Sequence, residues 1–382
     1  MQIFIKTFKG LEEVLKQEVL ELGGEDVRVE KRGVSCYGDK AFLYKCNLHL
    51  RTALRVLVPI HECVVHTERD FYKKMKRFKW SDYMDLNSSF AIDSVVNSRV
   101  FNHSKFIALR TKDAIVDQFR EEFDERPDVD VKSPDVRFNI HIAEKKVIVS
   151  LDSSGFSLHK RGYRQEGHEA PINEVMAAGL VLQSQWKGQT DFVDPMCGSG
   201  TILVEAALIA KNRAPQLYND QLNFQKWKNF DAKLWEEIKV EARKQEKEVS
   251  CEIKGGDILQ EYVESAILAT RKMKLEYDVQ VKHISFFDSK SDSDTGVLIT
   301  NPPYGERLKE DEINAFYKKI GDQLKTHYHG FSAWIISSNM QALKFVGLKP
   351  KRKIPLMNGA LECKVHQYEL YAGSKRNRSE EV

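Results

Sequence analysis

Asp191 to Ala210 reads DFVDPMCGSGTILVEAALIA. A short apolar strand leads to an acid and a glycine turn, and a helical run of Ala, Leu and Ile follows. Gly198 and Gly200 let the backbone come close to a ligand, and the free N–H groups and positive dipole end of the next helix favour a carboxylate or a phosphate. The G-x-G-x-x-G dinucleotide fingerprint needs a third glycine where this chain has Leu203. No G-K-[ST] follows the turn, so phosphate-loop NTPase chemistry is excluded as well.

A ligand with an amino-acid end remains, and S-adenosylmethionine fits. Its carboxylate is expected at the helix N-terminus and its ammonium near Asp194, with Pro195 beside it. A carboxylate ending the next strand is expected to accept from both ribose hydroxyls. Asp257, in IKGGDI, is that candidate, although it lies 57 residues beyond Gly200. The helical, Trp-bearing stretch between Arg213 and Glu248 accounts for the long gap. The third strand is read through KHISFF, where Asp288 can accept from the adenine amino group.

Farther along, the strand GVLIT runs into Asn301, Pro302, Pro303 and Tyr304, followed by Gly305, Glu306, Arg307 and Leu308. An aromatic amine such as guanine N2 is a poor nucleophile because its lone pair is delocalised into the ring. A catalyst must hold its two protons and aim the lone pair. The Asn301 side-chain carbonyl and the Pro302 backbone carbonyl can accept those bonds on a loop stiffened by proline. Tyr304 is expected to stack on a target base that is flipped out or already unpaired. Further strands read CEIKGG, SAWIISS and HQYELYA, with helices between most of them. This alternation predicts an α/β, doubly wound, Rossmann-like C-terminal domain whose ligands bind at the C-terminal strand ends.

Upstream, the first sixty residues follow a β-α-β-β-α-β order, which predicts a ferredoxin-like unit. From about residue 61 helices and strands alternate again, ending in strands at Val136 to Ile142 and Lys146 to Asp152, and the two units are expected to pack as one module. A hydrophobic fraction of 42% and a charged fraction of 30% exclude long disorder. The net charge of +3 leaves any polyanion to local patches. Six scattered cysteines form no C-x-x-C pair, so neither a metal site nor a disulfide framework is expected. No stretch approaches the roughly 18 apolar residues of a membrane span, which predicts a cytoplasmic protein without membrane contact.

At these motifs the chain resembles the THUMP-domain RNA guanosine-N2 methyltransferases, especially the bacterial group acting on large-subunit ribosomal RNA, and the similarity spans nearly its whole length. KDAIVDQFRE at Lys112 to Glu121 looks like the THUMP helix. LDSSGFSLHKRGYR at Leu151 to Arg164 looks like the closing strand and linker, and APINEVMAAGLV like the entry helix. VDPMCGSGTILVEAALIA and LITNPPYGERL resemble the cofactor and catalytic motifs almost residue for residue. The resemblance implies a ferredoxin-like domain at 1–60, a THUMP RNA-binding domain at 61–160 and a class I methyltransferase domain at 161–382. It further implies that Asp194, Gly198, Gly200, Asp257 and Asp288 bind the cofactor and that Asn301 to Tyr304 carry catalysis. One departure stands in GGDILQ, where the family has a second acid and this chain has Leu259.

A DNA adenine-N6 enzyme could use the same loop chemistry, but it would want an element that reads a duplex major groove, and no helix-turn-helix or zinc finger is seen. A non-catalytic RNA binder should show decayed loops, and both loops here are intact. Transfer RNA stays open beside ribosomal RNA as the substrate. For the RNA grip the sequence offers KKMKRFKW, from Lys73 to Trp80, and a second cluster of Lys160, Arg161 and Arg164 just before the entry helix.

Overall fold

The computed structural model describes residues 1–101, 103–164, 172–304, 310–358 and 361–372. Two compact units are present. The first comprises Met1–Thr7, Leu15–Leu158 and Gln216–Glu241; the second comprises Phe8–Val14, His159–Pro215 and Ala242–Val382.

The first unit is built on one seven-stranded sheet. It begins with β1 (Gln2–Lys6), α1 (Glu12–Glu21), β2 (Glu25–Glu30), β3 (Gly33–Tyr37), α2 (Lys40–His49) and β4 (Arg55–Val64). It continues with α3 (Glu68–Arg77), β5 (Phe90–Asn97), α4 (Ser104–Phe123), β6 (Val136–Ala143) and β7 (Lys146–Asp152). The strand order is β2-β3-β1-β4-β7-β6-β5. β4 joins the two halves: Arg55 to Leu57 pair with β1, and Leu57 to Val64 pair with β7. A continuous strand thus runs through residues 60 and 61. Alternation puts Ile3, Ile5, Phe138, Ile140 and Ile142 into the core from one sheet face.

The stretch from Gln216 to Glu241 belongs to this unit although it lies between strands of the other. Within it, Asn223 accepts from Arg137 N at 3.2 Å and donates to Pro134 O at 2.9 Å. Phe224 stacks on Tyr44 with ring centroids 4.4 Å apart, and Trp235 meets the same ring edge-on at 6.0 Å. Burial of such rings, rather than helix propensity, holds the stretch in place. Its regular part is a 3-10 turn at Asn223–Lys226 and α7 (Ala232–Lys244).

The second unit is the doubly wound domain. It contains α5 (Glu174–Gln183), β8 (Asp191–Asp194), α6 (Thr201–Ala210), β9 (Ile253–Asp257), α8 (Gln260–Lys272) and β10 (Gln280–His283). β11 (Gly296–Thr300), α9 (Glu310–His327), β12 (Phe331–Ser337), α10 (Ala342–Phe345), β13 (Arg352–Asn358) and β14 (Leu361–Glu369) complete it. The order β10-β9-β8-β11-β12-β14-β13 puts β8 and β11 side by side at the point where the winding reverses. The first five strands in that order are parallel, and β14 and β13 are antiparallel. On α9, Ile313, Tyr317, Ile320 and Leu324 form a buried stripe at helical spacing against Ala333 and Ile335 of β12. Each such side chain stabilises the packing by about 1.5–3 kcal/mol.

Two readings of the sequence need correction. The third strand ends at His283, and Phe286–Asp288 form a 3-10 turn rather than its continuation. The strand β13, hidden in KIPLM by its proline, was not foreseen; as the outermost strand of the sheet it tolerates Pro355. Among the described residues no helix is long and apolar enough to cross a membrane.

Candidate active site

Asp194 ends β8 and the glycine turn carries the chain into α6. The Asp194 side chain is buried, and no described cation pairs with it. Burial pushes its carboxyl up to about 7, and the nearby Asp257 carboxylate adds to the rise. Pro195 is buried behind it. The two glycines of the turn serve different ends. Gly200, at φ +79°, has no room for a side chain, since an added Cβ would lie 2.8 Å from Ala266 Cβ on α8. Gly198, at φ +52°, faces open space, with nothing within 4 Å of an added Cβ. That is the cradle a ligand needs, beside the unfilled N–H groups of α6.

Asp257 ends β9, and both of its oxygens are engaged with the backbone. Gly198 N donates to Oδ2 at 2.9 Å and Leu259 N donates to Oδ1 at 3.0 Å. It clips the end of its own strand to the glycine turn of the neighbouring one. A carboxylate oxygen accepts more than one bond, so the clip and a ribose contact are compatible. His283, paired opposite Asp257 in β10, donates from Nε2 to Ile258 O at 2.8 Å. This histidine braces the same turn and was missed in the sequence, because nothing in QVKHIS marks the register. Asp288 is exposed on its 3-10 turn.

The loop after β11 is fastened from two sides. Tyr317 donates to Pro303 O at 3.5 Å and shares a 2.8 Å bond with Ser337. Asn339 donates to Tyr304 O at 3.2 Å, while its own carbonyl caps Ala342 N at 2.9 Å. Neither Tyr317 nor Asn339 was foreseen; both are ordinary residues whose roles depend on tertiary placement. The Tyr304 hydroxyl donates to Asn301 Oδ1, and the Cys363 thiol lies against it. Burial raises the Tyr304 phenol above its ordinary range. The sequence assigns the Asn301 carbonyl to the amine and the Tyr304 ring to the base; the structure adds that the Tyr304 hydroxyl takes one lone pair of that carbonyl. Gly305, Glu306, Arg307 and Leu308 lie outside the described residues.

Of the second basic cluster, Lys160 is exposed, but Arg161 is not available at the surface. Its side chain and that of Glu205 are both at 0% exposure, with Nε 3.5 Å from Oε1. Tyr163 donates to the same Oε1 at 2.9 Å. Arg161 is a buried structural group, because a carboxylate inside α6 requires a charged partner. Arg164 donates to Ile172 O at 2.8 Å and lies 3.4 Å from Glu174. In KKMKRFKW, Lys74, Lys76 and Lys79 are paired with Asp70, Glu121 and Asp82. Trp80 is buried against Phe138 there, at 4.9 Å. Among the described residues no His, Cys, Asp and Glu side chains are grouped to hold a metal.

Three family models match the chain: an RlmL ferredoxin-like domain over residues 2–57, a THUMP domain over 65–152, and an RMKL-like methyltransferase domain over 161–367. A protein of Synechocystis sp., provisionally named an RNA methyltransferase, is 37% identical over 96% of each chain. The ribosomal RNA large subunit methyltransferase K/L of Syntrophotalea carbinolica is 36% identical over 97% of this chain and 54% of its own length. The chain therefore spans about half of that relative. A solved protein provisionally named a methyltransferase, in complex with S-adenosylhomocysteine, is 30% identical, with a TM-score of 0.87 over 98% of this chain and 99% of its own. A Clostridium difficile structure, given as that of a methylase, is similar at 30% identity and TM-score 0.88, covering 98% of this chain and 99% of that one. With its strand order, glycine turn and Asn-Pro-Pro-Tyr loop matched over more than half its length, the chain belongs to the RMKL-like methyltransferase domain family.

Proposed function

We propose that this protein transfers a methyl group from S-adenosylmethionine to the N2 amine of a guanosine in RNA, with large-subunit ribosomal RNA as the substrate. The observation that carries the reading is the adjacency of β8 and β11. It brings a glycine turn with a buried carboxylate, unpaired with any cation among the described residues, next to an Asn-Pro-Pro-Tyr loop. The name of the Syntrophotalea relative and the THUMP match support RNA, and ribosomal RNA, over other methyl acceptors.

When bound, S-adenosylmethionine supplies an electrophilic methyl group on a sulfonium. The α6 N-terminus would hold its carboxylate and Asp194 its ammonium. Asp257 would take the ribose, Asp288 the adenine amine. Asn301 Oδ1 and Pro302 O would accept from the two protons of the guanine amine, leaving its lone pair directed away from them. Tyr304 would leave Asn301 and stack on the base. The exposed Lys160, with Arg164 beside it, would meet a phosphate. No covalent intermediate is needed, and the lost amine proton leaves through the accepting oxygens to solvent.

Nucleoside mass spectrometry of ribosomal and transfer RNA from a deletion strain tests this. Loss of N2-methylguanosine from the large-subunit pool alone is the expected result. Loss from transfer RNA alone would move the substrate, and loss of N6-methyladenine from DNA would overturn the reading.

A further inference from the structure

β13 is the outermost strand of the catalytic sheet, so one of its edges is unpaired. The hairpin region from Lys349 to Leu370 carries Lys349, Lys351, Arg352, Lys353 and Lys364 against Glu362 and Glu369. Lys351 pairs with Glu369 at 3.0 Å. Lys349, Arg352, Lys353 and Lys364 pair with no carboxylate among the described residues.

Register fixes how these cations are arranged. Lys353 lies opposite His366 and Lys364 opposite Pro355, so Lys353, Lys364 and His366 share one face of the hairpin. Burial, together with the two ammonium groups, holds the His366 imidazole down to about 4. The neutral ring therefore adds no charge at physiological pH, and Glu362, two residues before Lys364 on the same face, is ion-paired with neither lysine among the described residues. On the other face the Arg352 guanidinium lies 5.7 Å from the Trp334 ring centre.

The patch begins at the catalytic loop. Lys364 is opposite Ser337 of β12, whose hydroxyl is bonded to Tyr317, and the adjoining Cys363 touches Tyr304. From there it runs along β13 from Pro355, opposite Lys364, to Lys353, two residues on, or roughly 7 Å at about 3.3 Å per residue.

Lysines on an outer strand often serve only to block edge-to-edge pairing. That accounts for Lys353 but not for Lys364, because β14 is hydrogen-bonded on both sides, to β12 and to β13. A charge on an interior strand beside the reactive loop needs another reason. We propose that the β13–β14 hairpin is a phosphate-binding track that holds the RNA strand flanking the target nucleotide. This rests on the RNA-methylation reading above.

The test is binding of a fluorescein-labelled RNA stem-loop transcript across a potassium chloride series, with the full chain and with a Lys353→Gln/Lys364→Gln variant. Each phosphate contact contributes about 0.7–0.9 to the slope of log affinity against log salt. The double variant should bind three- to tenfold more weakly, with a slope shallower by about 1.4–1.8. Its S-adenosylmethionine affinity, read by calorimetry, should match that of the native chain, and Lys353→Arg/Lys364→Arg should restore the slope. A native chain that binds no RNA would overturn the functional reading itself. A native chain that binds, with a double variant of unchanged slope or an arginine variant equally weakened, would overturn the track alone. Self-association of the glutamine variant at unchanged slope would assign the lysines to edge protection and overturn it too.

Discussion

The Tyr304 hydroxyl donates to Asn301 Oδ1, the oxygen that the proposed chemistry gives to the guanine amine. The loop is thus closed on itself, and one lone pair of the Asn301 carbonyl is already taken before the amine arrives. Tyr304→Phe removes the internal bond but keeps the ring. Its single-turnover rate should equal or exceed that of the native chain, while Tyr304→Ala, which also loses the stack, should be at least tenfold slower. Asn301→Ala should abolish transfer with cofactor affinity nearly intact, since an interaction strengthened in the transition state lowers rate without comparable loss of ground-state binding. A phenylalanine variant as slow as the alanine variant would show that the hydroxyl itself is needed.

Asp257 is a backbone clip, and the ribose contact proposed for it is a second role that substitution can test. Asp257→Ala loses the charge-assisted ribose contact, worth about 1.5–3 kcal/mol, and also frees the Gly198 and Leu259 amides. Cofactor affinity should fall roughly ten- to a hundredfold or further. Gly198→Ala, which leaves the carboxylate in place but puts a methyl into the open cradle at φ +52°, should weaken cofactor binding with a smaller loss of thermal stability than Gly200→Ala. Calorimetry and thermal melts read both. Equal loss of stability in the two glycine variants would contradict the division of labour between them.

Arg161 and Glu205 form an ion pair with no exposure. Removing one partner leaves an uncompensated buried charge, at a cost of about 3–5 kcal/mol. Arg161→Ala should therefore lower the melting temperature sharply, while Lys160→Ala should leave it within about 1 °C, as surface changes do. Against a labelled RNA the exposed Lys160 variant should lose affinity. An Arg161 variant that melted like the native chain would restore the surface role expected from sequence.

That residue marks where legibility stopped. The glycine turn, its acid and the Asn-Pro-Pro-Tyr loop were readable because a strand, a turn and a helix dictate residue types locally, and the ferredoxin-like order was readable from period alone. What Arg161 does was not, because a charge run has the same appearance whether it faces solvent or a buried carboxylate forty-four positions away. The same holds for Asn339 and Tyr317, whose partners lie on another strand's loop. β13 escaped because Pro355 argues against a central strand and says nothing of an edge. The stretch from Arg213 to Glu248 reads as a helical insertion, but only Ala232–Lys244 is α-helix, beside a 3-10 turn at Asn223–Lys226, and the packing of residues 216–241 within the first unit depends on Tyr44, far off in sequence.

Asp194 would make the proposed cofactor site pH-sensitive in a direction that can be worked out. Its carboxyl is raised from the ordinary value of 3.8 to about 7 in the folded chain. A raised acid is most compatible with folding below its unfolded value, and its contribution is lost as pH climbs from about 4 to about 7, where the buried group is forced to ionise. Without cofactor, Asp194→Asn should thus melt higher than the native chain at pH 8, by at least about 2 °C, and match it near pH 4. Binding has the opposite sense. An ammonium is held by the carboxylate and not by the acid, so native affinity for S-adenosylmethionine should rise up to tenfold per unit from pH 5.5 to about 7 and then level off. Calorimetry below pH 7 in buffers of different ionisation enthalpy should register a proton released on binding. The asparagine variant should bind weakly at every pH, with no such slope. A native profile flat across this range would mean that Asp194 is ionised before the cofactor arrives, and the ammonium contact would then belong to another group.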